Sequence, residues 1–420
     1  MSKINYGTKN DSPAVTGMVP RQYPWLSEDK HVDVCIVGGG MTGAMCAMFA
    51  AEMGLGVVLI TSGAVGYGDT GHITGCAGFD GGRTLNELDR LMTVDEALGL
   101  YQMGLEALDG LQNLCGRLDG EYRKTGISSG FTRRDLLLFT SDPTDIALME
   151  REYIAVRNKF SQCSFVTRKT AESSFEFPVC GGILTAEGSA VFSPYALAHL
   201  CLMKAGELGA EIFEQTEAVD IQIPRTEDGS VFIRTSTRRN IYADRLIFAA
   251  GSEGTRILGG KVKKRSLFAV VAKLPETGAA WSGRCTLGTF GKRLENYSVS
   301  PGGLQQACRV CERGIPGRLF RSSSEDLIFN GLKAQLQKMI PEPDGMKIKY
   351  EYRYDFSSAP DGLPIIGKHD GFKNCVFALP GLWADAGAPV FSYIASKAAT
   401  DLIQNSKHEI FSHFDPLRLI

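Results

Sequence analysis

Two things are missing from these 420 residues: an apolar run long enough to cross a bilayer, and an excess of either charge, since 45 basic residues face 47 acidic ones for a formal charge of −2. The first absence argues against a membrane-spanning helix. The second removes any long-range pull towards nucleic acid or an anionic membrane surface. Histidines number only six. The single C-x-x-C pair, Cys308 and Cys311, has neither a second pair nor histidines near it, so no metal site is expected. Residues 1–30 are polar, contain prolines and lack the apolar stretch of a signal peptide. They read as an arm laid over the body of a cytoplasmic protein. The eleven cysteines, among them Cys35, Cys46 and Cys201, fall in strand or helix patterns and read as small buried apolar residues in a reducing compartment.

What is present begins at His31. The apolar run Val34 to Val37 leads into Gly38-Gly-Gly-Met-Thr-Gly43, then a stretch of small and apolar residues ending at Gly54, then a second apolar run from Val57 to Ile60. This is a β-α-β unit with Gly38, Gly40 and Gly43 in the G-x-G-x-x-G pattern of a dinucleotide site. The first glycine allows a sharp turn, the second lets backbone approach a pyrophosphate, and the third lets the helix press on the sheet. The first amides of the helix then point at the phosphates. The competing reading is a β-α-β unit whose glycines serve close packing alone. The acidic residue that usually closes the second strand and holds the adenosine ribose is absent, and Thr61 stands there. A neutral bond in place of a charge-assisted one weakens the site by roughly 1 to 2 kcal/mol without abolishing it. Ser62 or a water is available to substitute.

Further along, Leu85 to Leu118 reads as a long helical stretch broken near Asp95-Glu96, and Asp135 to Thr140 as a strand. Ser193 and Pro194 form the N-cap and first position of a helix ending at Gly209. Strand and hairpin patterns over 211–235 precede a returning apolar strand, Ile241 to Phe248, that closes in Ala249-Ala-Gly251. Strand-like runs at Ser266–Ala272 and Met346–Tyr354 flank a helix over Glu325–Met339 and describe a second, antiparallel domain. A final helix runs from Pro389 to Ile403. The expected fold class is α/β plus α+β, a Rossmann-type domain joined to an antiparallel-sheet domain. The expected boundaries are an arm over 1–30, a nucleotide domain over 31–125, 186–262 and 356–410, and a substrate domain over 126–185 and 263–355.

This order of pieces resembles the D-amino-acid-oxidase-like family of FAD-dependent oxidoreductases, which includes glycine oxidase, sarcosine oxidase and dimethylglycine dehydrogenase. The resemblance runs from about residue 31 to 404 and is carried by the opening β-α-β unit, by Ser193-Pro-Tyr-Ala-Leu197 with Ala243-Asp-Arg-Leu-Ile-Phe-Ala-Ala-Gly251, and by Pro360-Asp-Gly-Leu-Pro-Ile-Ile-Gly367. It implies FAD bound extended across the first domain, with an amine or amino acid oxidised by hydride transfer to flavin N5. The residues it places against FAD are Gly38, Gly40, Met41, Thr42, Gly43, Thr61, Ser62, Thr70, His72, Ala218, Val219, Ala250, Gly251, Asp361, Gly387 and Ala388. Expected partners are a small-molecule amine and a second copy of the chain. The alternatives are an FAD-binding protein with a different or lost redox activity and a non-catalytic scaffold.

Several positions depart from the family pattern. Phe356 stands where glycine-oxidase-like members carry the arginine that clamps a substrate carboxylate, and it reads either as a wall for an apolar amine or as plain core. Arg353 replaces that arginine only if the strand is bulged, since three residues separate opposite faces. Trp383 and Asp385 occupy a turn that is glycine-rich in the family. Thr70-Gly-His-Ile-Thr-Gly75 matches the loop that carries FAD on a histidine in some members, so His72 is either a covalent attachment point or a hydrogen-bonded loop histidine. Tyr354 at the other attachment position excludes a cysteinyl link. Candidates for holding substrate are Arg353, Tyr352 and Tyr297, with Tyr350, although tyrosines at strand spacing also serve sheet packing. His199 and His369 read as structural.

Overall fold

The computed structural model describes residues 21–224, 226, 229–254, 263–273, 281, 284–291, 295–300, 303–312, 321–340, 345–381, 385–404 and 411–419. Trp383 and residues 1–20 of the expected arm lie outside them.

The opening unit folds as β1 (Lys30–Val37), α1 (Met41–Glu52) and β2 (Val57–Ile60). The chain continues through α2 (Asp69–His72), β3 (Cys76–Gly78), α3 (Leu85–Leu88), α4 (Val94–Glu121), β4 (Thr132–Thr140), α5 (Ile146–Lys159) and β5 (Cys163–Thr167). Then come α6 (Arg168–Glu172), β6 (Gly181–Val191), α7 (Pro194–Glu207), β7 (Glu211–Phe213), β8 (Ala218–Gln222), β9 (Val231–Thr235), β10 (Asn240–Phe248) and α8 (Gly251–Gly254). The remainder is β11 (Lys263–Lys273), β12 (Cys285–Thr289), β13 (Glu295–Val299), β14 (Gln305–Glu312), α9 (Arg321–Lys338), β15 (Lys347–Ser358), β16 (Ile365–His369), β17 (Phe372–Leu379) and α10 (Ala388–Ile403).

The first sheet has the order β16-β17-β10-β1-β2-β7, and β10, β1, β2 and β7 run parallel. Strands covered on both sides read as continuous apolar runs, which is why β1 and β2 show no alternation. From Met41 to Ala51 every residue of α1 is buried, and its small side chains let it lie close to the sheet and to α7 and α10. The expected helix from Leu85 is two helices. The break comes just before Asp95-Glu96, because Thr93 caps α4 in a capping box whose other half is Glu96. The single strand expected after Glu211 is also divided: β7 joins β2, the chain turns at Gln215 with φ +50°, and β8 pairs with β9 instead.

The second sheet, β15-β11-β14-β13-β12-β4-β6-β3, is antiparallel except between β12 and β4. Its two faces bury different things. Phe268, Val270, Tyr297 and Ala307 pack with Leu332 and Leu336 of α9 and with Trp281. Leu267, Ala269, Cys308, Tyr352 and Phe356 pack on the other face with Ile73 and Ala388, which belong to segments flanking the first sheet. Sheet membership crosses the expected boundaries in three places: β3 lies at the edge of the second sheet, β6 runs from 181 to 191 across the 185/186 boundary, and β15 runs on to Ser358. Cys308 and Cys311 lie in one strand, with Cys308 on the face towards Ala388 and Cys311 on the α9 side.

Candidate functional site

A cavity of about 600 Å³ opens at the carboxyl ends of β1, β2 and β10, where ligands bind in open α/β sheets. Its middle is lined by Gly38 to Thr42. Gly38 has φ +127°, and a Cβ there would lie 2.2 Å from the carbonyl oxygen of Ala249. A Cβ on Gly43 would lie 1.9 Å from the carbonyl oxygen of Gly38, so this glycine lets α1 touch the turn and is itself outside the cavity lining. Gly40 is different. Its backbone is ordinary, φ −80°, and it faces the cavity as the N-cap of a helix that receives no side-chain cap from it. The Met41 N–H is met from outside by Thr70 Oγ1 at 2.8 Å.

From this turn the cavity runs two ways. One end is lined by Thr61, Ser62, Thr216, Glu217 and Ala218. Glu217, in the segment before β8, lines this end together with Thr61. The arm borders this end: Leu26 is fully buried and donates its N–H to Thr216 Oγ1 at 3.1 Å. The other end is lined by Asp69, Ile73, Tyr354, Ala388 and Ser392. Asp69 ties this end together, accepting from Ser252 N at 2.8 Å and from the Tyr354 hydroxyl at 2.7 Å. It thereby links the loop after β10 to the second sheet across the cavity. Asp69, Glu217 and Ser252 escape sequence reasoning because each owes its place to contacts distant in the chain.

The expected FAD-contact residues divide. Gly38, Gly40, Met41, Thr42, Thr61, Ser62, Thr70, Ala218, Ala250, Gly251 and Ala388 line the cavity. Val219 does not, being 54% exposed on the other side of β8 from Ala218. Asp361 does not either: its carboxylate receives the Arg418 guanidinium, with Nε at 2.9 Å, and so fastens the C-terminal segment. Gly387 is buried against Gly81, where a Cβ would come within 2.4 Å of a carbonyl oxygen, and serves packing. His72 is also outside the lining. Its ring stacks on Tyr354 at 4.1 Å, and its Nδ1 donates to the carbonyl of Gly68 at 2.8 Å.

The catalytic candidates are corrected by sheet geometry. Arg353 and Phe356 fall on opposite faces as regular alternation requires. The irregularity between β11 and β15 lies elsewhere, opposite Val271 and Ala272. Arg353 therefore points to α9, pairing with Glu325 and with Asp355 at 2.7 Å, its guanidinium over the Phe268 ring. Tyr297 lies in the same cluster, its hydroxyl donated to Glu295. Neither reaches the cavity. Tyr352 is on the facing side but is likewise outside the cavity lining: it is buried and donates its hydroxyl to the carbonyl of His72 at 3.1 Å. Phe356 belongs to the same apolar face.

Carboxyls buried near this end carry shifted proton affinities. Asp385, in the turn before α10, accepts from Thr74 N at 2.7 Å and from the Thr74 hydroxyl. Burial pushes its pKa up to about 6 against the lowering effect of those bonds. Asp80 is likewise pushed up by burial to about 6, and Glu152 to about 8, the latter receiving the Leu85 N–H at 2.9 Å. His199 is fully buried against Tyr195 and held neutral, its pKa lowered to about 4 by burial.

The residues present fit an extended dinucleotide with a flat ring at one end. A glycine turn and the start of α1, whose Met41 N–H is already met by Thr70, occupy the middle, polar groups one end, and Ile73, Tyr354 and Ala388 the other. The model of the FAD dependent oxidoreductase family matches residues 33–389. The chain belongs to that family. It is similar to the probable oxidoreductase OrdL of Haemophilus influenzae, 27% identical over 230 residues, which is 53% of this chain and 50% of that protein. Gamma-glutamylputrescine oxidoreductase of Escherichia coli is 31% identical over 104 residues, 24% of each chain. The matches thus span half or less of these curated relatives. Glycine oxidase from Geobacillus kaustophilus shares the fold, with a TM-score of 0.75 at 18% identity over 93% of this chain and 100% of that one. The family's Rossmann-like FAD-binding region corresponds to the first sheet with its helices, and the separate sheet domain to the second.

Proposed function

We propose that this FAD-dependent oxidoreductase acts on a primary or secondary amine or an amino acid. One observation carries the reading: a single cavity runs from the glycine turn to Tyr354 of the second sheet, with Ile73 and Ala388 beside it. The names of two relatives, a glutamylputrescine oxidoreductase and a glycine oxidase, support an amine nitrogen as the group acted upon. When bound, the flavin supplies the chemistry by accepting a hydride at N5. The chain's own part is placement. The amides opening α1 hold the pyrophosphate, and Asp69 keeps Tyr354 against the ring end. Ile73, Tyr354 and Ala388 border the ring end and keep water from the reacting carbon. On the facing side of β11, opposite Phe356, Arg265 is buried with its Nε donating to Ser358 Oγ at 3.1 Å.

The test is anaerobic: holoprotein mixed with a panel of secondary amines and amino acids should lose its visible flavin absorbance with at least one of them. Recovery of the spectrum on admitting air would mark an oxidase. A flavin spectrum that no amine bleaches would overturn the substrate class and leave the family assignment standing.

A further inference from the structure

Asp385 is the only carboxylate among the described residues with no exposed surface at all. Its hydrogen-bond donors are the amide and hydroxyl of Thr74 and the thiol of Cys308, all neutral. Cys76 of β3 also faces it, and burial raises both thiols, so neither adds charge. A buried anion with only neutral donors is unfavourable and needs a compensating field. Asp385 stands directly before the amino end of α10, a helix of 16 residues whose N-cap, Gly387, offers no side chain. Asp385 also joins two segments that bound the cavity at the Tyr354 end: Thr74 follows Ile73, and Ala388 begins α10 just after the Asp385 turn.

That end must take the isoalloxazine, since the glycine turn fixes the pyrophosphate between it and the polar Thr61–Ala218 end. We infer that Asp385 is a positioning residue that lowers the electron affinity of the bound flavin, its charge opposing the negative charge that reduction places on the ring. Reduction brings two electrons and one proton into the ring, leaving one negative charge unless a second proton follows. The helix end alone would stabilise that charge; Asp385 offsets it. Burial leaves the carboxyl ionised above about pH 6, so the effect is present at neutral pH. The inference rests on the FAD reading.

The experiment equilibrates holoprotein anaerobically with a redox dye of known potential at pH 7.5 and reads both spectra. Asp385→Asn should move the equilibrium towards reduced flavin by roughly tenfold or more, the size of one unit charge removed at short range in a partly buried site. Thr74→Val keeps the carboxyl but removes a donor to its charged form, and should shift the equilibrium the same way by a smaller factor. A clamp of purely structural value would loosen FAD and lower the unfolding temperature while leaving the dye equilibrium within twofold of the parent, and that outcome in both Asp385→Asn and Thr74→Val overturns the inference. If Asp385→Asn fails to keep FAD, Thr74→Val decides alone. A parent protein that never takes up FAD fails the cofactor reading itself, and this inference with it.

Discussion

Gly40 and Gly43 are interchangeable letters in a motif but answer to different constraints. A side chain at 43 meets backbone, while one at 40 meets open cavity and the end of Thr70. Gly43→Ala should therefore destabilise the fold by about 1–3 kcal/mol as α1 is forced off the turn, read by denaturant unfolding of the protein without FAD. Gly40→Val should leave that unfolding close to the parent and abolish FAD binding in a fluorescence-quenching titration, because the side chain fills ligand volume. Parent-like FAD binding by Gly40→Val would remove the pyrophosphate from this turn. At the polar end, Thr61→Glu restores a charge-assisted ribose bond and should tighten FAD by up to about tenfold in the same titration. Glu217, already at that end, makes any smaller gain intelligible.

At the scale of elements, β15 is the clearest case of a strand with two unrelated faces. Tyr350, Tyr352, Tyr354 and Phe356 look towards the first domain, and Arg353 and Asp355 towards α9. Arg353→Ala should leave the rate of anaerobic flavin reduction within about twofold of the parent while lowering stability by about 1 kcal/mol, as befits a partly exposed ion pair. A collapse of the reduction rate with unchanged stability would return Arg353 to the active site. The contact of α5 with α3 carries a pH dependence. Glu152 is pushed from 4.5 to about 8 by burial, with Asp80 and Glu87 adding to the rise. The folded protein thus holds a proton that the unfolded chain releases. The stabilisation tied to that proton is complete below about pH 4.5 and lost as pH rises through about 8. Glu152→Gln, which keeps an oxygen for the Leu85 N–H, should flatten the fall in unfolding temperature between pH 6 and about 8.5.

For the whole molecule, the two sheets meet at the cavity, and polar ties cross it. Asp69 is one, bridging Ser252 beside the first sheet and Tyr354 in the second. Asp69→Ala should weaken FAD binding and reduce the gain in unfolding temperature that saturating FAD gives the parent, a gain worth about 2.7 kcal/mol at a hundredfold excess over Kd. An unchanged gain would show that the cofactor alone holds the halves together.

The β-α-β unit was legible because everything that makes it lies within thirty residues: apolar runs, glycine spacing and a helix start that depends on local amides. The capped helices and the division into a parallel and an antiparallel sheet followed in the same way, from patterns of short range. Sites built from side chains of the second sheet were not legible. Alternation tells that Arg353 and Phe356 oppose one another, but not which of them faces the cofactor domain; that choice is made by α9 covering one face and Ile73 with Ala388 the other. Tyr297 fell on the covered side for the same reason. Asp385 gives the extreme instance: the sequence marks a charge in a turn where glycines are usual, while its partner Thr74 is 311 positions away. The sequence by itself determined the cofactor turn, since the glycine spacing and the apolar runs that make the β-α-β unit are neighbours in the chain. Only the tertiary structure decided which side chains surround the ring, because burial and proton affinity depend on groups that folding alone brings together.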